Sequence, residues 1–549
     1  MANLTPFTGV LGNRLAAHLL RRTTFGPTKT QILAFATKTP AEALADLLVF
    51  TPITTKPIDP AINTPNTTWV DTLPDPDNGS DNNQRRGLIL AWMLDNFRTD
   101  NTLRSKMLFF LHQNFMVNDE AWTSHDLYDH LKLLEYYSLG SYKILAKKIC
   151  TCNRMLVYLN GYQNYADNSN ENYAREFLEL FTIGKGPQAG VGNYTTYTED
   201  DIKQAAKLFS GYQYTVSNTQ LDPDTNIRRC NINPAGWSHS ALNKTFSASF
   251  QNTIITGTNT AAGMLTEIDT FVNLIFNQSD TALNICRKLY RYFVHRNITA
   301  NVETDIITPL AATLKANNYN LNIVLNQLLQ SQHFYDLDDA DATDNKIGGM
   351  LKSPLDLIMH TLRFFNIAPQ NMPNATPYTI WLEFYQNSLL YSFCDNADMR
   401  IFNTTTVAGY PAYYLAPKYD RNWFDASSIT QRYYLGRCLL ENKRLPYSSW
   451  AMFGANIDIV TWVRNNVTTP NNGNTIIDEM VNYLLPELPT TTRRTYFLNQ
   501  TLLGTLSLIN WSNEWNTYVN SGFTNLTVVK PRLELLFKAI LFSQEYQLQ

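Results

Sequence analysis

Chemistry first becomes legible in the stretch Asn168 to Gly186, NSNENYAREFLELFTIGKG. At about 100° per residue, Asn172, Arg175, Glu176 and Glu179 share an arc of roughly 100°. Tyr173, Phe177, Leu178, Leu180 and Phe181 cover most of the remainder. A surface helix shows the opposite balance, with a wide polar face and a narrower apolar one. The pattern therefore predicts a buried helix over 170–184 with one polar stripe. Two carboxylates, a guanidinium and an amide in such a setting must be paired or functional. As an acid–base or metal site, the stripe would use carboxylates whose pKa values a low-dielectric pocket drives apart. As a structural network, it would close on itself through the i,i+4 pairs Glu171–Arg175, Arg175–Glu179 and Asn172–Glu176.

His112 lies on the Leu108, Phe109, Phe115, Met116 side of its helix and is expected to be buried, as a core residue or as a ligand. Were His112 and His239 both to approach Glu176 and Glu179, the four would make a two-His, two-carboxylate metal site. No spacing demands this, and neither the Glu-x-x-His pairs of a di-iron bundle nor a His-Glu-x-x-His occurs in the stripe. The candidate catalytic residues are thus Arg175, Glu176, Glu179 and His112, with the identity of any metal or cofactor open. Asn172 and His239 join them as ligand-binding candidates. His125, Asp126, Asp129 and His130 offer i,i+4 clamps or, more simply, a helix start capped by Ser124. Tyr410, Tyr413, Tyr414, Tyr419, Trp423 and Phe424 cluster with Pro411 and Pro417 in an aromatic loop, 407–424. Its rings suit a stacking platform for a sugar or partner, with Tyr414 and Trp423 as contacts, or a plug for a second core.

Several motifs are ordinary. GKGPQAGVG follows a helix rather than a strand, the wrong context for a phosphate-binding loop. The acidic run 336–344 lacks the central Gly and terminal Glu of an EF-hand and reads as a solvated linker. Cys150 and Cys152 form a lone C-x-C, and six cysteines in 549 residues do not make a disulfide framework. There is no Gly-x-Ser-x-Gly elbow.

The elements that must hold these residues are mostly helical. Short helices are predicted over 11–50, an extended Pro-rich loop over 51–83, and long helices from Arg85 onward, with a break at Gly140. Thr198-Glu-Asp-Asp201 is a capping box opening a helix through Leu208. Residues 212–262 read as irregular with a hairpin, and helices return at 264–276, 281–296, 303–317 and 321–332. The expected fold is all-α in two lobes: 1–335 and 351–549, joined by an acidic linker at 336–350. LLQSQHFY (328–335) and ILFSQEYQ (540–547), each closing a lobe, form a faint internal echo.

Composition narrows the function classes. Hydrophobic residues make up 44% and charged residues only 17%, against about 25% in an average soluble domain. A net charge of −3 gives no electrostatic case for nucleic acid. No run approaches the ~18 apolar residues of a membrane span. The N-terminal stretch lacks a signal-peptide pattern, because Asn13 and Arg14 interrupt its apolar run, so a cytoplasmic or signal-independent location is expected.

Read in order, AAHLLRRTTFGPT, KMLFFLHQNFMV, NENYAREFLELFTIGKG, YTEDDIKQAAKLFSG, ICRKLYRYFV, QSQHFYD, KSPLDLIMHTLRFF, VAGYPAYYLAP and LFSQEYQLQ resemble the bacterial family called domain of unknown function 1800. The resemblance spans nearly the whole chain. It implies a mainly helical fold of unestablished activity, and a partner that looks like the alkaline phosphatase and sulfatase hydrolases. Many members carry an export signal, and this sequence is expected to have none. It also has His239-Ser240 where members usually have His-Asp, so no carboxylate role is carried to that position. Two functions are therefore expected as alternatives: a helical hydrolase-like or ligand- or metal-binding protein built on a buried Glu/Arg/His pocket, or a non-catalytic assembly component that binds partners through aromatic surfaces.

Overall fold

The computed structural model describes residues 3–74, 79–339, 345–370, 375–404, 406–410, 419–441 and 457–549. Helices dominate them, and strands are confined to three two-stranded antiparallel ribbons in the 188–255 region. Tyr413, Tyr414, Pro411 and Pro417 of the aromatic loop lie outside the described residues, as do 340–344 of the acidic linker.

Local chemistry sets the helix starts. Capping boxes open the helices Lys29–Ala36, Pro40–Leu47, Ser124–Tyr136 and Glu199–Leu208, through Thr28, Thr39, Thr123 and Thr198. Each threonine hydroxyl accepts a backbone N–H of the first turn that would otherwise be orphaned. The cap before His125 is Thr123, not Ser124. Thr123 has the extended backbone a cap needs, whereas the Ser124 hydroxyl accepts the Trp69 indole N–H at 2.8 Å. The helix Gly79–Thr99 starts six residues before the expected Arg85. The predicted 303–317 helix is a π-turn, Glu303–Ile307, followed by Thr308–Ala316. Pro309 has no N–H to give the preceding turn, and the Thr308 hydroxyl bonds the Glu303 carbonyl instead.

The central stripe is corrected in the same way. It is α-helical only over Glu171–Glu176 and continues as a π-turn, Phe177–Phe181. The Thr182 hydroxyl caps the Phe177 carbonyl, and Gly184, at φ +80°, returns its N–H to the Leu178 carbonyl. The wider turn re-aims Glu179 relative to Glu176.

One hydrophobic cluster runs from Leu11 to Tyr546. Buried cations cross it: Arg21 donates to the Tyr483 and Leu485 carbonyls, Arg363 to those of Gly26, Arg98 and Asp100, and Lys106 pairs with Asp356. The two echo segments do the same structural work. Ser331 Oγ accepts the Phe334 N–H and Ser543 Oγ that of Tyr546, each just past a helix end. Each segment then pairs with an extended piece leading into a helix, Pro6 with Ser331 and Leu351 with Leu548.

Candidate active site

The stripe closes largely on itself. Arg175 forms a fork with Glu199, 2.8 Å on each arm, and lies 3.4 Å from Glu171 and 4.0 Å from Glu179. That fork raises the Arg175 pKa and lowers that of Glu199. Glu179 also accepts the Tyr197 hydroxyl and sits 3.2 Å from Lys185. The Asn172 amide donates to the Leu159 carbonyl at 3.3 Å instead of bonding Glu176. Glu176 alone stays open. Burial and then the Glu179 charge raise its pKa, and no hydrogen bond among the described residues opposes them.

The two candidate histidines do not join it. His112 is 0% exposed, its ring centroid 4.4 Å from that of Phe402, and neither ring nitrogen has a partner among the described residues. Burial drives its pKa well below the usual histidine range, so it is neutral. His239 donates from Nδ1 to the Ser210 carbonyl at 2.8 Å and meets Glu267 at 3.3 Å, which in turn pairs with Lys244 at 2.5 Å. The two-His, two-carboxylate site is therefore not assembled, and no group of three metal-ligating side chains occurs among the described residues. The 125–130 set also disperses: His125 to the Trp69 carbonyl, Asp126 to Thr123 and Tyr214, Asp129 to Arg228, and His130 to Cys152 at 3.6 Å.

An open cleft of about 410 Å³ lies elsewhere, lined by Asp395, Asp398, Arg400, Thr404, Tyr410 and Trp423 among others. A π-helix, Leu382–Cys394, runs into the 3-10 turn Asp395–Ala397, and a second 3-10 turn, Tyr419–Trp423, brings in the opposite wall. Around the cleft, Asp398, Phe402 and Tyr419 have φ of +63°, +62° and +46°. For bulky residues such as Phe402 and Tyr419 that region is strained, at about 1–3 kcal/mol each, and strain of this kind concentrates at functional sites. Phe402 is clamped: its N–H donates to the Tyr410 hydroxyl at 3.2 Å and its carbonyl accepts the Asp119 N–H at 2.7 Å. His112, packed against Phe402, supports the cleft from behind.

Electrostatics separate the carboxyl groups. Burial pushes Asp395 up to about 7, with Arg400 opposing and Asp119 adding to the rise. Burial also raises Asp119 and Asp398. Asp425, the fourth acid, is held down to about 2 by hydrogen bonds from Ser428 and Ser427, so it is a helix cap rather than a proton carrier. Burial raises the Tyr158 pKa, and the charge of Glu176 adds to the rise.

Of the expected site residues, the structure brings Trp423 to the cleft wall, packs His112 against Phe402 and leaves Glu176 with a raised pKa. Arg175, Glu179 and Asn172 are tied up within the stripe region, and His239 is tied up with Glu267. Asp395, Asp398 and Arg400 were not anticipated. Their signal was Asp-x-x-Asp-x-Arg straight after LEFYQNSLLYSFC, a run of 13 residues with one charge. No helix among the described residues is long and apolar enough to cross a membrane. No curated protein and no solved structure shows a significant match to the chain. The family described as "Protein of unknown function (DUF1800)" matches residues 18–548, and the chain belongs to it.

Proposed function

We propose that the protein is a hydrolase-like acid–base catalyst acting on a small polar substrate in the Asp395 cleft. The observation that carries this reading is a carboxyl group poised at about 7 in an open cleft beside a second carboxylate and an arginine. A general acid works best with a pKa near the operating pH, and Asp395 meets that condition. It would hand its proton to a departing oxygen, while Asp398 activates water and Arg400 steadies developing negative charge.

The test is a carboxyl titration by NMR on the full chain, together with activity on a panel of chromogenic glycosides and esters. One carboxyl titrating near 7 should vanish in Asp395→Asn, along with any turnover. A parent without a carboxyl titrating above about 6, or an Asn variant of undiminished activity, would sink the proposal.

The assembly reading rests on a different surface from the one expected. Trp423 is 1% exposed, whereas Ile509 and Phe523 near the C-terminus are 73% and 45% exposed. Apolar side chains open to water in one region favour a partner there.

A further inference from the structure

The 3-10 turn that walls the acidic cleft also borders a second one. Asn422 and Trp423 line the first, while Arg421 and the following Phe424 line a cleft of about 440 Å³ with His295, Arg296, Gly349, Leu351 and Leu548. We propose that this second cleft binds the phosphoryl group of a small organic phosphate.

Charge comes first. Two arginines line the cleft, and no acid stands among its described lining residues. The nearest counter-charge is Asp420, 3.7 Å from Arg296. Its carboxylate already accepts the Leu351 N–H at 2.7 Å, and burial raises its pKa, so it is a weak match for both guanidinium groups. Arg296 is anchored on the Gly349 carbonyl, which fixes one end of its fork. Arg421 is exposed and free to close on a ligand.

The donors are three-sided. His295 Nδ1 accepts the Asn297 N–H at 3.3 Å, which leaves the ring proton on Nε2 as a donor. Its pKa is lowered to about 4, first by burial and then by Arg296, Arg22 and Lys346, so the imidazole sits in a positive field. Gly348, at φ +71°, and Gly349 bring bare backbone to the wall, and a Cβ on Gly349 would stand 3.1 Å from His295 Cδ2. Two guanidinium groups and an imidazole N–H suit a tetrahedral dianion, whereas one arginine fork would satisfy a carboxylate. The volume exceeds what a lone oxyanion needs, and Leu351, Phe424 and Leu548 offer apolar contact to an organic remainder.

Calorimetric titration of the full chain with inorganic phosphate and with phenyl phosphate tests the assignment. Phenyl phosphate should bind at least as tightly as the free ion. Arg421→Gln, a change at an exposed residue, should weaken both at least about ten-fold without lowering the unfolding temperature. Asp395→Asn should leave phosphate binding intact, so this site and the proposed catalytic cleft can fail separately. Absence of binding by both probes, or an Arg421→Gln variant that binds like the parent, would overturn the site. Tighter binding of inorganic phosphate than of phenyl phosphate would overturn the organic ligand in favour of the free ion.

Discussion

Two groups of acids in this molecule have similar composition and opposite electrical fates. In the stripe, Glu171, Glu179 and Glu199 surround Arg175, with Lys185 and the Tyr197 hydroxyl completing the set. In the cleft, Asp395 and Asp398 have raised pKa values, Asp119 outside its lining adds to the rise at Asp395, and Arg400 is too weak an opponent to bring Asp395 back down. The stripe acids draw their counter-charges from several elements: Glu171 meets Arg175 at i,i+4 spacing, Glu199 reaches Arg175 from the helix Glu199–Leu208, and Lys185 reaches Glu179 from beyond the π-turn. The cleft sits on π-helix, 3-10 turns and strained loop backbone, where Asp395 and Asp398 share Arg400 as their opposing charge. Close cations match the stripe acids other than Glu176, whereas one shared arginine leaves the cleft acids with raised pKa values.

Removing the wall between the clefts should have the largest effect. Trp423 is 1% exposed in spite of lying at the edge of both clefts' shared turn. Trp423→Ala should cost about 3–5 kcal/mol, as other large-to-small core changes do, and a thermal melt will read it. A loss below about 1 kcal/mol would show the ring to be a surface contact after all.

Glu179→Gln tests the closed half of the comparison. Gln keeps a bond to Tyr197 but gives up attraction to Lys185 and Arg175. Both cations are partly exposed, which discounts the loss to about 1–2 kcal/mol. An unchanged or raised melting temperature would mean that Glu179, too, is strained and available.

The helical fold, the Thr198 box and the Arg175 pairs were all legible in the sequence, because each depends on residues three or four apart. The π-turn at Phe177–Phe181 was not, since α and π registers share the same apolar pattern over five residues. The partner of His239 was equally hidden: Glu267 is 28 residues away, and only tertiary packing brings it to 3.3 Å. The Asp395 cleft combines both difficulties. Its acids are local, but the burial that raises them depends on how the 382–404 and 419–423 segments meet.

Asp395→Asn should act through pH. The folded state holds this proton up to about 7, while an unfolded chain releases it near the ordinary aspartate value, so folding binds extra protons in between. Stability contributed by Asp395 is therefore greatest below that window and is lost as pH rises through about 7. Asn cannot ionise, so the variant should gain on the parent between pH 5 and pH 8 in chemical denaturation. A difference between variant and parent that is flat over that range would mean that Asp395 is already ionised at pH 5.

The smallest effect should come from Glu176→Gln, and its sign matters most. Glu176 shares the stripe with Glu179 yet behaves like the cleft acids: burial and the Glu179 charge both oppose its ionisation. Its raised pKa means that the ionised form costs the folded state once pH passes the unfolded glutamate range, and the full cost is present above the folded value. Gln removes the charge and keeps the volume. The variant should therefore match or exceed the parent by up to about 1 kcal/mol at pH 8, and the gain should shrink on acidification. Glu179→Gln measured in parallel should move the other way. Two neighbouring glutamates on one turn, replaced by the same residue with opposite results, would place the border between closed network and open site at the step from Glu176 to Glu179. Equal losses at both positions would move Glu176 into the closed network and leave Asp395 and Asp398 as the open acids.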